Sequence, residues 1–229
     1  VLSLKNCNIS WTTDAEAPLI KNANVCLTPG QVVVLLGRNG AGKTCLLQTL
    51  AGIINPAGRP CVHRAATVEA AYLPQPVALV EHLTGEEFAE ILGVERTPEL
   101  KMQIAYNKRL GEVSSGEAQK FFMAVTMLRK AMAYLLDEPF TNLDQVETAS
   151  LVKQILRPRE EKPIFVISLH EPSHLLFLKD AVTLVIDDQR LLTYPNVEAL
   201  FADDRIKNRL FPGLEWVQLP LGPALQHRG

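Results

Sequence analysis

An apolar run, Val32 to Leu36, leads directly into Gly37-Arg38-Asn39-Gly40-Ala41-Gly42-Lys43-Thr44 and then into a helical pattern from Cys45 to Ala51. The octet fits G-x-x-x-x-G-K-[ST], which requires a strand, a glycine-rich loop and a helix in that order. Val32-Val33-Val34-Leu35-Leu36 has no polar alternation, as expected of a strand buried on both faces of a parallel sheet. In such a loop the glycines let backbone N–H groups turn inward around a β-phosphate. Lys43 brings a cation toward the β- and γ-phosphates, and the Thr44 hydroxyl is placed to hold Mg²⁺. A chance lysine in a glycine-rich turn is the bland alternative, and the complete motif in this context outweighs it.

Three further stretches with strand character, Ala131 to Leu136, Ile164 to Ser168 and Val182 to Ile186, alternate with helical ones. This pattern predicts an α/β fold with a mostly parallel sheet. Ligands of such sheets bind at the C-terminal strand ends. Gly37, Asp137 and His170 each fall at or just past one, so three segments point to a single site. Between Pro76 and Leu110 the β-branched runs stop, and Leu92, Leu100, Met102 and Ile104 sit among charged residues, which predicts a small helical insertion. Asp187-Asp188-Gln189 reads as a turn between strands, Asn196 as the cap of a helix through Phe201, and the segment from Pro212 has no clear assignment.

The 229 residues, with 47% hydrophobic content, suffice for a buried core without staples. Cys7, Cys26, Cys45 and Cys61 form no C-x-x-C pair, so the spacing suggests neither a disulfide framework nor a zinc site and favours a reducing compartment. No apolar run approaches the roughly 18 to 20 residues needed to cross a bilayer, and the first residues lack a secretion signal. A net charge of -2 leaves no electrostatic footprint for wrapping nucleic acid, and no nucleic-acid partner is expected.

Tyr134-Leu135-Leu136-Asp137-Glu138 is an apolar strand ending in two carboxylates. Asp137 is expected on the water shell of a Mg²⁺ ion opposite Thr44. Glu138, one residue further, is placed to orient or deprotonate an attacking water. Val113-Ser114-Ser115-Gly116-Glu117 precedes a helix through Phe121, Val125 and Leu128. It reads both as a capping box, Ser114 with Glu117, and as an anion site made by the helix N-terminus.

With these residues in order, the chain resembles the ATP-binding cassette (ABC) ATPases over nearly its whole length. The segments are the P-loop, Gln75 in Tyr72-Leu73-Pro74-Gln75, the signature Val113 to Glu117, Asp137-Glu138, Thr141-Asn142-Leu143-Asp144, and His170. The resemblance implies a P-loop NTPase (RecA-like) core over 1–75 and 125–229, an N-terminal antiparallel β subdomain and an α-helical insertion at about 76–124, all in one ABC ATPase domain. It also implies roles. Gln75 touches Mg²⁺ and reports to a transmembrane partner, Asp144 ends the D-loop, and His170 contacts the γ-phosphate. Ser114, Ser115, Gly116 and Glu117 face nucleotide bound by a second copy or a paralogous ATPase. Trp11 is either the aromatic ring that stacks on adenine or an ordinary half-buried strand residue.

The family's usual Leu-Ser-Gly-Gly-Gln appears here as Val-Ser-Ser-Gly-Glu, and Ser115 and Glu117 are expected to slow hydrolysis. Cys45 stands where a hydroxyl commonly bonds the α-phosphate. A helix N-terminus and Lys43 are expected to favour its thiolate and make it reactive. The expected function is the energising ATPase subunit of an ABC transporter. It would use ATP and Mg²⁺ and bind permease subunits on the inner face of the cell membrane. The alternative is a soluble ABC ATPase acting on ribosomes or nucleic acid, which usually carries paired cassettes or a long coiled coil, and neither is present. Echoes of zinc importers and haem exporters conflict, so substrate and direction stay open.

Overall fold

The computed structural model describes residues 1–11, 17–55, 62–64, 69–74, 80–219 and 222–227. Its elements in chain order are β1 (Leu2–Ile9), β2 (Ile20–Leu27), β3 (Val32–Gly37), α1 (Lys43–Ala51), β4 (Val62–Arg64), β5 (Ala70–Leu73), α2 (Gly85–Ile91), α3 (Pro98–Lys101), α4 (Ser115–Leu128), β6 (Ala133–Leu136), α5 (Gln145–Leu156), β7 (Ile164–Ser168), β8 (Val182–Asp187), β9 (Arg190–Tyr194), α6 (Val197–Phe201), α7 (Asp204–Leu210), β10 (Leu214–Leu219) and β11 (Gly222–His227).

The central sheet has the order β5-β6-β7-β3-β8-β9. Every neighbouring pair is parallel except β8 and β9. Successive strand residues point to opposite faces, so continuously apolar strands must feed two cores. Val34 and Leu36 of β3, Leu136 of β6 and Ile167 of β7 enter one core with α4 and α5. Val33, Leu35, Leu135 and Val166 enter the other, together with Leu46, Leu47 and Leu50 of α1. That second core also takes Leu2, Leu4, Ile9 and Ile20 from a three-stranded antiparallel sheet of order β2-β1-β4. A backbone bond from Lys21 N–H to the Gln189 carbonyl, 2.7 Å, ties the two sheets together.

Residues 80–128 contain helices and 3₁₀ turns. They attach to the core through α4, where the rings of Phe88, Phe121 and Phe122 meet at centroid distances of 5.1 to 6.4 Å. The packing is close enough that a side chain on Gly85 would bring its Cβ to 2.3 Å from the Ala105 carbonyl oxygen. At the other end, Asp188 and Gln189 both take positive φ, 48° and 61°, the conformation that closes a two-residue hairpin between β8 and β9. Asn196 caps α6 through the Ala199 N–H. The C-terminal stretch that had no clear sequence assignment forms the hairpin β10-β11, and Trp216 packs its ring 5.6 Å from that of Phe201.

One inference from the cysteines is corrected. Cys7, fully buried in β1, is disulfide-bonded. Spacing along a sequence cannot report which thiols the fold brings within the few ångströms a disulfide requires. Cys26 and Cys45 are free, and Cys61 lies outside the described residues.

Candidate nucleotide site

The site begins where β3 ends. Gly42 turns the loop into α1 with φ 105°, and a Cβ there would lie 3.2 Å from Leu19 Cβ, so both conformation and space select glycine. Lys43 opens the helix, 7% exposed, and its Nζ donates to the Gly37 carbonyl at 3.0 Å. Burial pulls the Lys43 ammonium below the usual lysine range, while Glu138 and Asp137 nearby pull it back up. This cation is therefore held where further negative charge would favour it.

Opposite the loop, β6 delivers Asp137, which is fully buried. The Thr44 hydroxyl donates to its Oδ2 at 2.7 Å and the Ser168 hydroxyl to its Oδ1 at 2.6 Å. Tyr72, on the neighbouring strand β5, reaches Oδ2 more loosely at 3.4 Å, and burial and Asp137 push its phenol well above the usual tyrosine range. Both carboxylate oxygens thus accept from hydroxyl donors. Glu138 follows with φ 48°, and its N–H donates to Ser168 Oγ at 2.8 Å. Thr44 and Asp137 form an oxygen-rich pair of the kind that would hold a hard cation. Among the described residues no group of three or more His, Cys, Asp and Glu side chains is placed to hold a metal ion by itself.

These parts enclose a cavity of about 350 Å³ lined by Trp11, Arg38, Asn39, Gly40, Gly42, Lys43, Thr44, Glu138 and His170. Trp11 lies beyond the end of β1, borders the cavity and is 59% exposed, so it does not fill a half-buried strand position. His170, two residues past β7, also borders an adjoining cavity of about 530 Å³ walled by Leu210 and Phe211 at the end of α7. Gln75 lies outside the described residues.

The signature segment is built differently. Ser114 caps α4, and its hydroxyl and N–H both bond the Glu117 carboxylate at 2.9 Å, which lowers that carboxyl below the usual range. The charge of Glu117 is thus turned back onto Ser114. Neither Ser114, Ser115, Gly116 nor Glu117 lines the P-loop cavity. The α4 helix is instead coupled to the chain after β6. Gln119, fully buried, donates to the Pro139 carbonyl at 3.1 Å, and a Cβ on Gly116 would sit 3.1 Å from the Asn142 carbonyl. Lys120 pairs with Glu147 of α5, whose N-cap is Asp144.

The expectation for Cys45 is corrected. Its thiol is fully buried among the α1 leucines, does not line the cavity, and is pushed up to about 11 by burial. Desolvation overrides the helix terminus because the side chain points away from the loop, into the core. Two residues that sequence reasoning missed, Ser168 and Tyr72, contact Asp137 directly. The signal for Ser168 was a lone hydroxyl at the end of an otherwise apolar strand, next to a candidate site. Tyr72 carried no such signal.

Residues 20–141, just over half the chain, match the family described as ABC transporter. This chain belongs to that family. A taurine import ATP-binding protein from Pseudomonas syringae pv. tomato is 29% identical over 195 residues, covering 76% of this chain and 74% of the relative. A zinc import ATP-binding protein from Aliivibrio fischeri is 29% identical over 167 residues, 69% of this chain and 68% of the relative. Among solved structures, a dimeric ATP-binding cassette in a post-hydrolysis state with ADP and Pi superposes with TM-score 0.69 at 18% identity, covering 85% of this chain and 98% of that one. The cassette described here is therefore an ATP-binding ABC ATPase with the P-loop fold. No helix among its described residues is long and apolar enough to cross a membrane.

Proposed function

We propose that this cassette energises an ABC transporter by closing on a second ATPase subunit around ATP, hydrolysing it and reopening, with the membrane path supplied by permease subunits on other chains. The observation that carries this reading is the half-built site. Trp11, the P-loop, Glu138 and His170 line one cavity, while Ser114 caps a helix outside it. A helix N-terminus with an exposed serine and no phosphate of its own is suited to the nucleotide of a facing copy.

Within the site, P-loop N–H groups and Lys43 hold the phosphates, and Trp11 stacks on the base. Thr44 and Asp137 are the residues that would hold Mg²⁺, with Gln75 joining them, and the ion would offset phosphate charge. Glu138 accepts a proton from the attacking water, and His170 donates toward the γ-phosphate. Asp144 orders the start of α5 beside the signature helix. Closure excludes water from the reacting groups. The helical insertion read at about 76–124 in the RecA-like core presents the surface that meets the permease. The chain would then sit on the cytoplasmic face of the membrane. Import is the direction suggested by the taurine and zinc relatives.

Closure is tested with two variants in a Cys26→Ser background, one carrying Asn39→Cys and the other Ser115→Cys. Mixed with a slowly hydrolysed ATP analogue and a short bis-maleimide, they should form a cross-linked heterodimer, and neither variant alone should do so. Absence of that product in the mixture would sink head-to-tail pairing of two copies of this chain. For the base, Trp11→Ala should weaken ATP binding by about 1 kcal/mol, the scale of an aromatic stack beyond its buried area. Calorimetric titration showing equal affinity in the two proteins would remove Trp11 from the site.

A further inference from the structure

We infer that Ser168 is a positioning residue for hydrolysis, setting the geometry of both Asp137 and Glu138 through one hydroxyl. The inference rests on the roles proposed above for those two carboxylates. Ser168 ends β7, between β6 and β3 in the central sheet, and is fully buried. Its Oγ has a single proton and gives it to Asp137 Oδ1 at 2.6 Å, while the same oxygen accepts the Glu138 N–H at 2.8 Å. Both bonds are short, and together they fix the direction of the hydroxyl.

Each bond has a separate consequence. Asp137 Oδ2 is already engaged by Thr44 at 2.7 Å and Tyr72 at 3.4 Å. Ser168 holds the other oxygen, so it sets the rotation of the carboxylate plane and hence the aim of Oδ2 past Thr44. Glu138 has φ 48°, a left-handed conformation that costs a non-glycine residue energy and persists only when its surroundings hold it. The bond from its N–H to Ser168 is such a restraint, and it turns the Glu138 side chain toward the cavity it lines. His170 stands two residues beyond Ser168 on the same chain, so the hydroxyl also joins the strand carrying His170 to the strand carrying the carboxylates.

The test is Ser168→Ala, a truncation that removes one oxygen and with it both bonds. Melting temperature confirms folding. Two quantities are then read: steady-state ATP hydrolysis, and ATP affinity by calorimetry at graded Mg²⁺ and in EDTA. The expected result is a fall in kcat of about tenfold or more with KM for ATP within about threefold, as for a group acting on the reacting geometry rather than on binding. The Mg²⁺ concentration that half-enhances ATP affinity should rise about threefold or more, with affinity in EDTA unchanged. Hydrolysis and metal dependence both within about twofold of wild type overturn the inference. So does an equal weakening of ATP binding with and without metal, which is what general loosening of the core would produce. A parallel Glu138→Gln protein separates this inference from its premise. If that protein hydrolyses ATP like wild type, the reading of Glu138 has failed, and Ser168 stands or falls on the metal dependence alone.

Discussion

Replacing Glu138 with Gln should lower ATP hydrolysis by about two to four orders of magnitude, the range that a positioned general base contributes. It should do so while leaving ATP binding nearly intact. The amide keeps the size and the left-handed backbone of Glu138, whose N–H bond to Ser168 does not involve the side chain. What it loses is the capacity to take a proton. With turnover stopped, the ATP-bound closed state should accumulate, so the variant should elute as a dimer in sizing chromatography with Mg-ATP and as a monomer without nucleotide. A variant that stays monomeric at saturating ATP would sink self-pairing and favour a different partner cassette. A variant that hydrolyses at the wild-type rate would remove Glu138 from the chemistry altogether.

Lys43→Ala should have the second large effect, on binding first. Hydrogen bonds to charged groups are worth about 1.5 to 3 kcal/mol, so ATP affinity should fall about 10- to 100-fold, and hydrolysis further, since phosphate charge develops during transfer. The same lysine gives a pH signature. Burial lowers its proton affinity, and bound phosphate should raise it again. A group whose pKa rises on binding takes up a proton when pH lies between the free and bound values. ATP binding should therefore weaken as pH climbs through that alkaline window, and titrations in buffers of differing ionisation enthalpy should show proton uptake there. The alanine variant should lack both effects. An alanine variant with wild-type affinity would contradict the placement of Lys43 at the phosphates.

Much of this site was legible in the sequence because its parts are local patterns. The P-loop declares itself within eight residues, since glycine spacing, lysine and hydroxyl must follow one another along a single turn. Asp137 and Glu138 declare themselves by ending an apolar strand. Caps are equally local, and Ser114 with Glu117, Asp144 with Glu147 and Asn196 with Ala199 form the bonds their spacing implies. Continuous apolar runs are read as strands buried on both faces, and alternate residues of β3 do enter two different cores.

Other features depended on which strand lies beside which, and a one-dimensional pattern does not carry that information. Ser168 and Tyr72 reach Asp137 because β7 and β5 flank β6 in register, with Leu136 opposite both Ile167 and Leu73. Their sequence distances from Asp137, 31 and 65 residues, conceal this. Trp11 joins the site because the end of β1 in one sheet falls beside the P-loop of another. Cys45 shows the opposite error. Its neighbours along the chain suggested an electropositive phosphate pocket, yet a helix turns about 100° per residue, and that rotation carries the thiol from the loop into the leucine core. The sequence by itself determined the fold class and the position of the P-loop, because those follow from short-range periodicity and spacing. Only tertiary structure decided which hydroxyls set the carboxylates and which thiol is desolvated, because burial and hydrogen-bond distance arise from strand order and packing.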